Sequence, residues 1–304
     1  MVDLSVRIGS LVLPNPVMTA SGTFGYGTEY SSCLDIDKLG AIITKTVTLK
    51  PREGNPMPRI AETPAGMLNS IGLANVGVEA FLRDKLPKLE GLAAAVIVNI
   101  AGDSVEDYAD VARRVVDHPR VDGLEINVSC PNVKQGGITF GVDSAATASV
   151  VSAVRKTTAK PIIAKLTPNV TDITSIAKSA EEAGADAVSL INTVLGMAVD
   201  IQTRRPLLAR IVGGLSGPAI KPIAVAKVYQ TAKAVKIPII GIGGIMTWQD
   251  AVEFLLAGAS AVQVGTWNFV DPAGAIAVAE GIRQYCVDNE IKHIADLVGR
   301  LKET

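Results

Sequence analysis

Eight short apolar runs constrain this chain more than any other feature of its sequence. They are PVMTASG (16–22), AIITKTVT (41–48), AAAVIVNIAG (93–102), GLEINVSC (123–130), PIIAKLT (161–167), AVSLINT (187–193), PIIGIGG (238–244) and AVQVGT (261–266). Each is nearly continuous in Val, Ile, Leu and Ala rather than alternating, as expected for strands buried on both faces of a parallel sheet. Between most of them lie amphipathic stretches with helix-start signals. Asp103-Ser104 precedes VEDYADVARRVVD, Asp143-Ser144 precedes AATASVVSAVRKTT, and Asn169 to Thr171 precede DITSIAKSAEEAG, which closes on Gly184. Eight strands alternating with helices predict an α/β fold, a (β/α)8 TIM barrel occupying residues 1–304 as a single domain. The opening segment LSVRIGSLVLPNP reads as a hairpin capping the barrel floor.

Composition narrows the function classes. Twenty-nine basic against thirty acidic residues leave no basic footprint for nucleic acid. No apolar run reaches the ~18 residues of a membrane span, and the first residues lack the basic-then-apolar order of a signal peptide. Cys33, Cys130 and Cys286 are too few and too scattered for a disulfide framework or a CxxC metal site, so no metal is expected. Together these predict a cytoplasmic protein with reduced thiols. Neither a GxGxxG turn opening a βαβ unit nor a GxxxxGK[ST] loop is present.

Two long insertions interrupt the alternation, residues 49–72 and 194–220. Both follow a strand, and both therefore belong to the C-terminal face of a barrel, where active sites sit. The same face collects polar strand ends: Ser21, Lys45-Thr46, Asn99, Asn127, Lys165, Asn192-Thr193, Gly243-Gly244 and Gly265-Thr266. Two lysines at buried strand ends need a compensating anion or dipole. The glycines of the last two strands, with Gly217 in the second insertion, suit a phosphate at free backbone N–H groups. A mononucleotide such as FMN, or a sugar phosphate, fits that pattern.

Cys130 leaves its strand at this face and leads through Pro131-Asn132 into VKQGGITFG, a segment able to close over a substrate. Cys33 and Cys286 read instead as inert buried thiols. His118 and His293 lie away from strand ends, so no Cys–His pair is formed, and Cys130 suits a thiolate general base that removes a proton from carbon. The segment GMLNSIGLAN offers Asn69 and the backbone of Ser70, Ile71, Gly72 and Leu73 over the mouth. With Asn127, Asn132 and Asn192 it supplies four carboxamides, each able to donate and accept, which suits a pyrimidine-like ring.

The motifs PNPVMTASGTFG, TKTVT, NPMPR, LNSIGL, INVSCPN, AKLTPN, IGIGGI and AVQVGT resemble those of the class 1 dihydroorotate dehydrogenases over essentially the whole chain. The string INTVLGMAVDIQTRRPLLARIVGGLSGPAIKP most resembles the B type, whose catalytic subunit works with NAD+ through an electron-transfer partner. The resemblance implies oxidation of (S)-dihydroorotate to orotate on FMN in de novo pyrimidine biosynthesis. It implies Cys130 as the base at the substrate's C5. It implies substrate contacts from Lys45, Asn69, Ser70, Ile71, Gly72, Leu73, Asn127, Asn132, Asn192 and Thr193. Flavin contacts would come from Ser21, Lys45, Thr46, Asn99, Asn127, Lys165 and Ile191, and phosphate contacts from Gly217, Gly243, Gly244, Gly265 and Thr266. FAD and a 2Fe-2S cluster would sit on the partner, in a heterotetramer built on a catalytic homodimer. Alternatives are a fumarate-using A-type dehydrogenase, a sugar-phosphate aldolase or isomerase with a Schiff-base lysine, or a flavin-binding subunit that only shuttles electrons.

Overall fold

The computed structural model describes residues 2–129 and 140–302. Its sixteen strands, numbered in chain order, begin with the hairpin β1 (Val6–Ile8) and β2 (Leu11–Leu13), paired antiparallel with Val6 opposite Leu13. The barrel is a closed ring of eight parallel strands: β3 (Val17–Thr19), β4 (Ala41–Ile43), β7 (Ala95–Ile100), β8 (Gly123–Asn127), β9 (Ile162–Lys165), β10 (Ala187–Leu190), β15 (Ile239–Ile242) and β16 (Ala261–Val264). Each of the eight apolar runs in the sequence contains one of these strands. The ring closes where Val262 pairs with Val17.

The helices are α1 (Gly77–Ala80), α2 (Val105–Val116), α3 (Ser144–Arg155), α4 (Ile173–Glu182), α5 (Lys221–Ala232), α6 (Trp248–Ala257) and α7 (Gly274–Asp288). Their apolar stripes face the sheet: Val111 and Val115 of α2, Val150 and Val154 of α3, and Phe254 and Leu255 of α6 are fully buried. Burying each such side chain contributes about 1.5–3 kcal/mol. Ser104 caps α2 by accepting from the Asp107 N–H, and Asp143 caps α3 by accepting from the Ala146 N–H at 2.7 Å, as the sequence predicts. The cap of α4 is Asp172 rather than the stretch 169–171. Asn169 is used elsewhere. Its amide bonds the Thr193 carbonyl at 3.0 Å and accepts from the Leu195 N–H at 2.9 Å, tying the end of β9 to the second insertion.

The two insertions are not open loops. The first contributes β5 (Ile60–Thr63) and β6 (Gly66–Asn69), and the second contributes β11 (Val194–Met197), β12 (Val199–Asp200), β13 (Arg205–Pro206) and β14 (Val212–Ser216). They join in one antiparallel sheet, ordered β11-β14-β6-β5, with Leu215 opposite Leu68 and Gly214 opposite Asn69. This sheet stands on the C-terminal side of the barrel, because β6 follows β4 and β11 follows β10. No described helix is long and apolar enough to cross a membrane.

Candidate active site at the barrel mouth

Lys165 is the last residue of β9 and is almost fully buried. Its Nζ donates to Ser21 Oγ, just beyond β3, at 3.1 Å and lies 3.6 Å from Glu125 Oε1. Asn127 ends β8 directly beside Lys165 in the ladder. Its Oδ1 accepts from the Ser129 N–H at 3.2 Å and lies 3.5 Å from Asn192 Nδ2, beyond β10. Asn99, in β7, is fully buried. Strand ends far apart in the chain thus meet around one axis.

Lys45 lies two residues past β4 and is half-buried, and no described acid is within ion-pair distance of it. Burial first, and then the nearby Arg59 guanidinium, hold its ammonium below the usual lysine range. An ammonium in that condition gains from an arriving carboxylate. The neighbouring Thr46 is buried, and so is Ile191.

The second insertion meets the last strands at the glycines. Gly244 has φ +73°, and a Cβ there would stand 2.8 Å from the Gly217 carbonyl oxygen and 2.8 Å from Lys221 Cβ. Only glycine allows both that backbone and that approach. The N–H groups of Gly243, Gly244, Gly265 and Thr266 donate to no described residue. Thr266 Oγ1 bonds Ser216 Oγ at 2.8 Å, joining the eighth barrel strand to the mouth sheet. Nearby, Lys221 Nζ is engaged by Asp250 and Glu253, each at 2.7 Å, so its charge is already countered.

The segment 69–73 is more self-engaged than the sequence suggests. Asn69 Nδ2 donates to the Gly214 carbonyl at 3.1 Å, the Ser70 N–H to the Arg59 carbonyl at 2.7 Å, and Asn55 takes the carbonyls of Ser70 and Ile71. Asn69 Oδ1 and the N–H groups of Ile71, Gly72 and Leu73 have no described partner. Leu73 itself sits at φ +56°. Thr193 packs against Gly214, beneath the same sheet. Cys130, Asn132 and the segment through 139 lie outside the described residues. Of the two thiols read as buried, Cys286 is buried but Cys33 is exposed, because residues 31–35 form a surface turn between β3 and β4.

Glu125, Gln263 and Ser189 were not anticipated. They occupy the middles of β8, β16 and β10, not the ends where a site was sought. The signal was available: a single carboxylate inside the apolar run GLEIN.

These residues fit FMN on three counts. The free N–H groups of the last two strand ends suit a phosphate. Asn99 Oδ1 and Gln263 Oε1 are buried acceptors without a partner, suited to a ring carrying N–H donors. Lys165 adds a buried cation at the same end of the barrel.

A family profile described as dihydroorotate dehydrogenase matches residues 3–285. The chain is 58% identical over 299 residues to the dihydroorotate dehydrogenase B (NAD(+)) catalytic subunit of Geotalea uraniireducens, covering 98% of both chains. It is 55% identical over 301 residues to the subunit of that name from Parabacteroides distasonis, covering 99% of each. Among solved structures it is similar to DHODH from Eimeria tenella, crystallised with ferulenol, at 26% identity and a TM-score of 0.81, covering 98% of this chain and 88% of that one.

Proposed function

The chain belongs to the dihydroorotate dehydrogenase family, and from that premise we propose that it is the catalytic subunit of an NAD+-linked B-type enzyme. It oxidises dihydroorotate to orotate in pyrimidine biosynthesis. The observation that carries the site reading is Lys165, a buried cation at the same barrel end as the unengaged N–H groups of the last two strands.

Bound FMN supplies the two-electron acceptor beside the substrate. The chain supplies the rest. Cys130 takes the proton from the substrate's C5 as a thiolate. Lys45, an under-compensated cation, receives the substrate carboxylate. Asn69, Asn127, Asn132, Asn192 and Thr193 hold the ring, with the free N–H groups of Ile71, Gly72 and Leu73 alongside. Lys165 and Ser21 hold positive charge and a hydroxyl toward the flavin, with Thr46, Asn99 and Ile191 lining its ring. Gly217, Gly243, Gly244, Gly265 and Thr266 receive its phosphate.

Three scattered cysteines do not make a 2Fe-2S site and no dinucleotide fingerprint is present, so the FAD and 2Fe-2S cluster that a B-type enzyme would use to pass electrons to NAD+ are assigned to a second subunit. Anaerobic addition of dihydroorotate should bleach the visible absorption of the FMN-loaded chain. Cys130→Ala should keep its flavin and bleach at least about 100-fold more slowly at pH 7. A flavin that stays yellow in the unaltered chain removes dihydroorotate as substrate. Undiminished bleaching in the variant removes Cys130 as the base.

A further inference from the structure

Among the described residues only two charged side chains are buried, Glu125 and Lys165, and they face each other inside the barrel. The reaction as derived uses the lysine and leaves the glutamate without a task. Glu125 is fully enclosed, and its carboxylate is engaged from four different strands. Oε1 accepts from Asn99 Nδ2 (β7) at 2.6 Å and lies 3.6 Å from Lys165 Nζ (β9). Oε2 accepts from Ser189 Oγ (β10) at 3.0 Å and from Gln263 Nε2 (β16) at 2.7 Å. A buried carboxylate tolerates this position only because every lone pair region is met by a donor. Stability alone does not call for the arrangement, since apolar residues of similar volume serve a barrel core as well or better.

We propose that Glu125 is a positioning residue, whose carboxylate anchors the Lys165 ammonium at the barrel axis so that FMN meets a fixed cation. It acts through Lys165 and not by touching the flavin. The inference rests on the FMN reading above. Glu125→Gln is a usable probe because Gln263 Oε1 is without a partner. The Gln263 amide can turn over to accept from the new side-chain NH2 at the Oε2 position, while Asn99 goes on donating to the remaining oxygen beside Lys165, which loses only its counter-charge. The substitution therefore removes the counter-charge while sparing the rest of the network.

The test is a double-mutant cycle on the flavin-free chain, read as FMN affinity by fluorescence titration and as the melting temperature without flavin. Glu125→Gln is expected to weaken FMN binding by about tenfold, the scale of one hydrogen bond to a charged group. Lys165→Met should weaken it at least as much. Together they should bind within about twofold of Lys165→Met alone, because the anchor has nothing left to hold. Losses that multiply in the double variant, or unchanged affinity in Glu125→Gln, overturn the proposal, whatever happens to the melting temperature. If Glu125→Gln does not melt cooperatively, Glu125→Asp replaces it. That variant keeps the charge on a shorter arm and should lose less affinity, with the loss again vanishing beside Lys165→Met. An unaltered chain that fails to bind FMN overturns the functional reading instead, so the two failures are distinct.

Discussion

Lys45 shows how far a single residue can be read. Its place after an apolar run marks it as a buried strand-end cation, yet only the fold reveals that its neighbour is another cation, Arg59, and not an acid. Its folded-state proton affinity is lowered, so the unfolded chain holds that proton more tightly. The cost to folding is complete below the lowered value and disappears as pH rises through it toward the ordinary ~10.4. Lys45→Met should therefore melt about 2 °C higher than the unaltered chain at pH 7, with the gap closing toward pH 10, and should bind orotate more weakly. A variant that melts lower at pH 7 would show that the charge is compensated after all. Lys165, Ser21, Asn99 and Asn127 were legible as polar strand ends. Glu125 stands out in sequence as the lone carboxylate of its run, but its meeting with Lys165 is set by strand register and barrel closure and is not legible there. Cys33 departs from the expectation of a buried thiol because the general tendency of free cysteine to be buried gives way here to the polar segment YSSCLD, which forms a surface turn.

At the scale of elements, starts and stops were legible wherever the capping partner is local. The caps of α2 and α3 lie within three residues of the groups they satisfy. The start of α4 slipped because Asn169, a good cap by type, is recruited by Thr193 and Leu195, some 25 residues away. The sheet formed by the insertions was illegible for the same reason: Asn69 bonds Gly214 across 145 residues. Helix α6 offers a sharp test. Thr247 and Asp250 form a capping box, and Asp250 also binds Lys221 beside Gly244. Burial would raise the Asp250 carboxyl, but hydrogen bonds from Lys221, Met246 and Thr247 outweigh it and hold the group below the usual range. Stability from this carboxylate is present above the ordinary ~3.9 and is lost as pH falls through the lowered value. Asp250→Asn should cost about 1 kcal/mol in urea denaturation at pH 7 and progressively less toward pH 3. An equal cost at both pH values would assign the effect to shape and not to charge.

Among the described residues of the whole molecule, the two insertions carry the largest group of exposed apolar side chains. Leu195, Met197, Val199, Ile201, Ile211 and Val212, with Met57 and Ile60, are exposed on the sheet and hairpin of the two insertions, Ile201 at 82% and Met57 at 72%. Exposed apolar side chains gathered on one side mark an association surface. On the proposed function, these side chains are where another subunit would seat. Ile201→Glu should reduce the assembled mass in sedimentation equilibrium while leaving the melting of the chain at low concentration unchanged. An undiminished mass would place the contact elsewhere.

The order of strands and helices, the parallel barrel and the end of it that carries polar groups were all determined by local pattern, because each strand or helix declares its buried faces through its own residues. Which strand ends touch, which acid answers which lysine and how two distant insertions pair were decided only by closure of the ring. Closure brings β16 back against β3 and sets side chains from four strands around Glu125, a meeting that depends on register and barrel geometry and leaves no periodic trace along the chain.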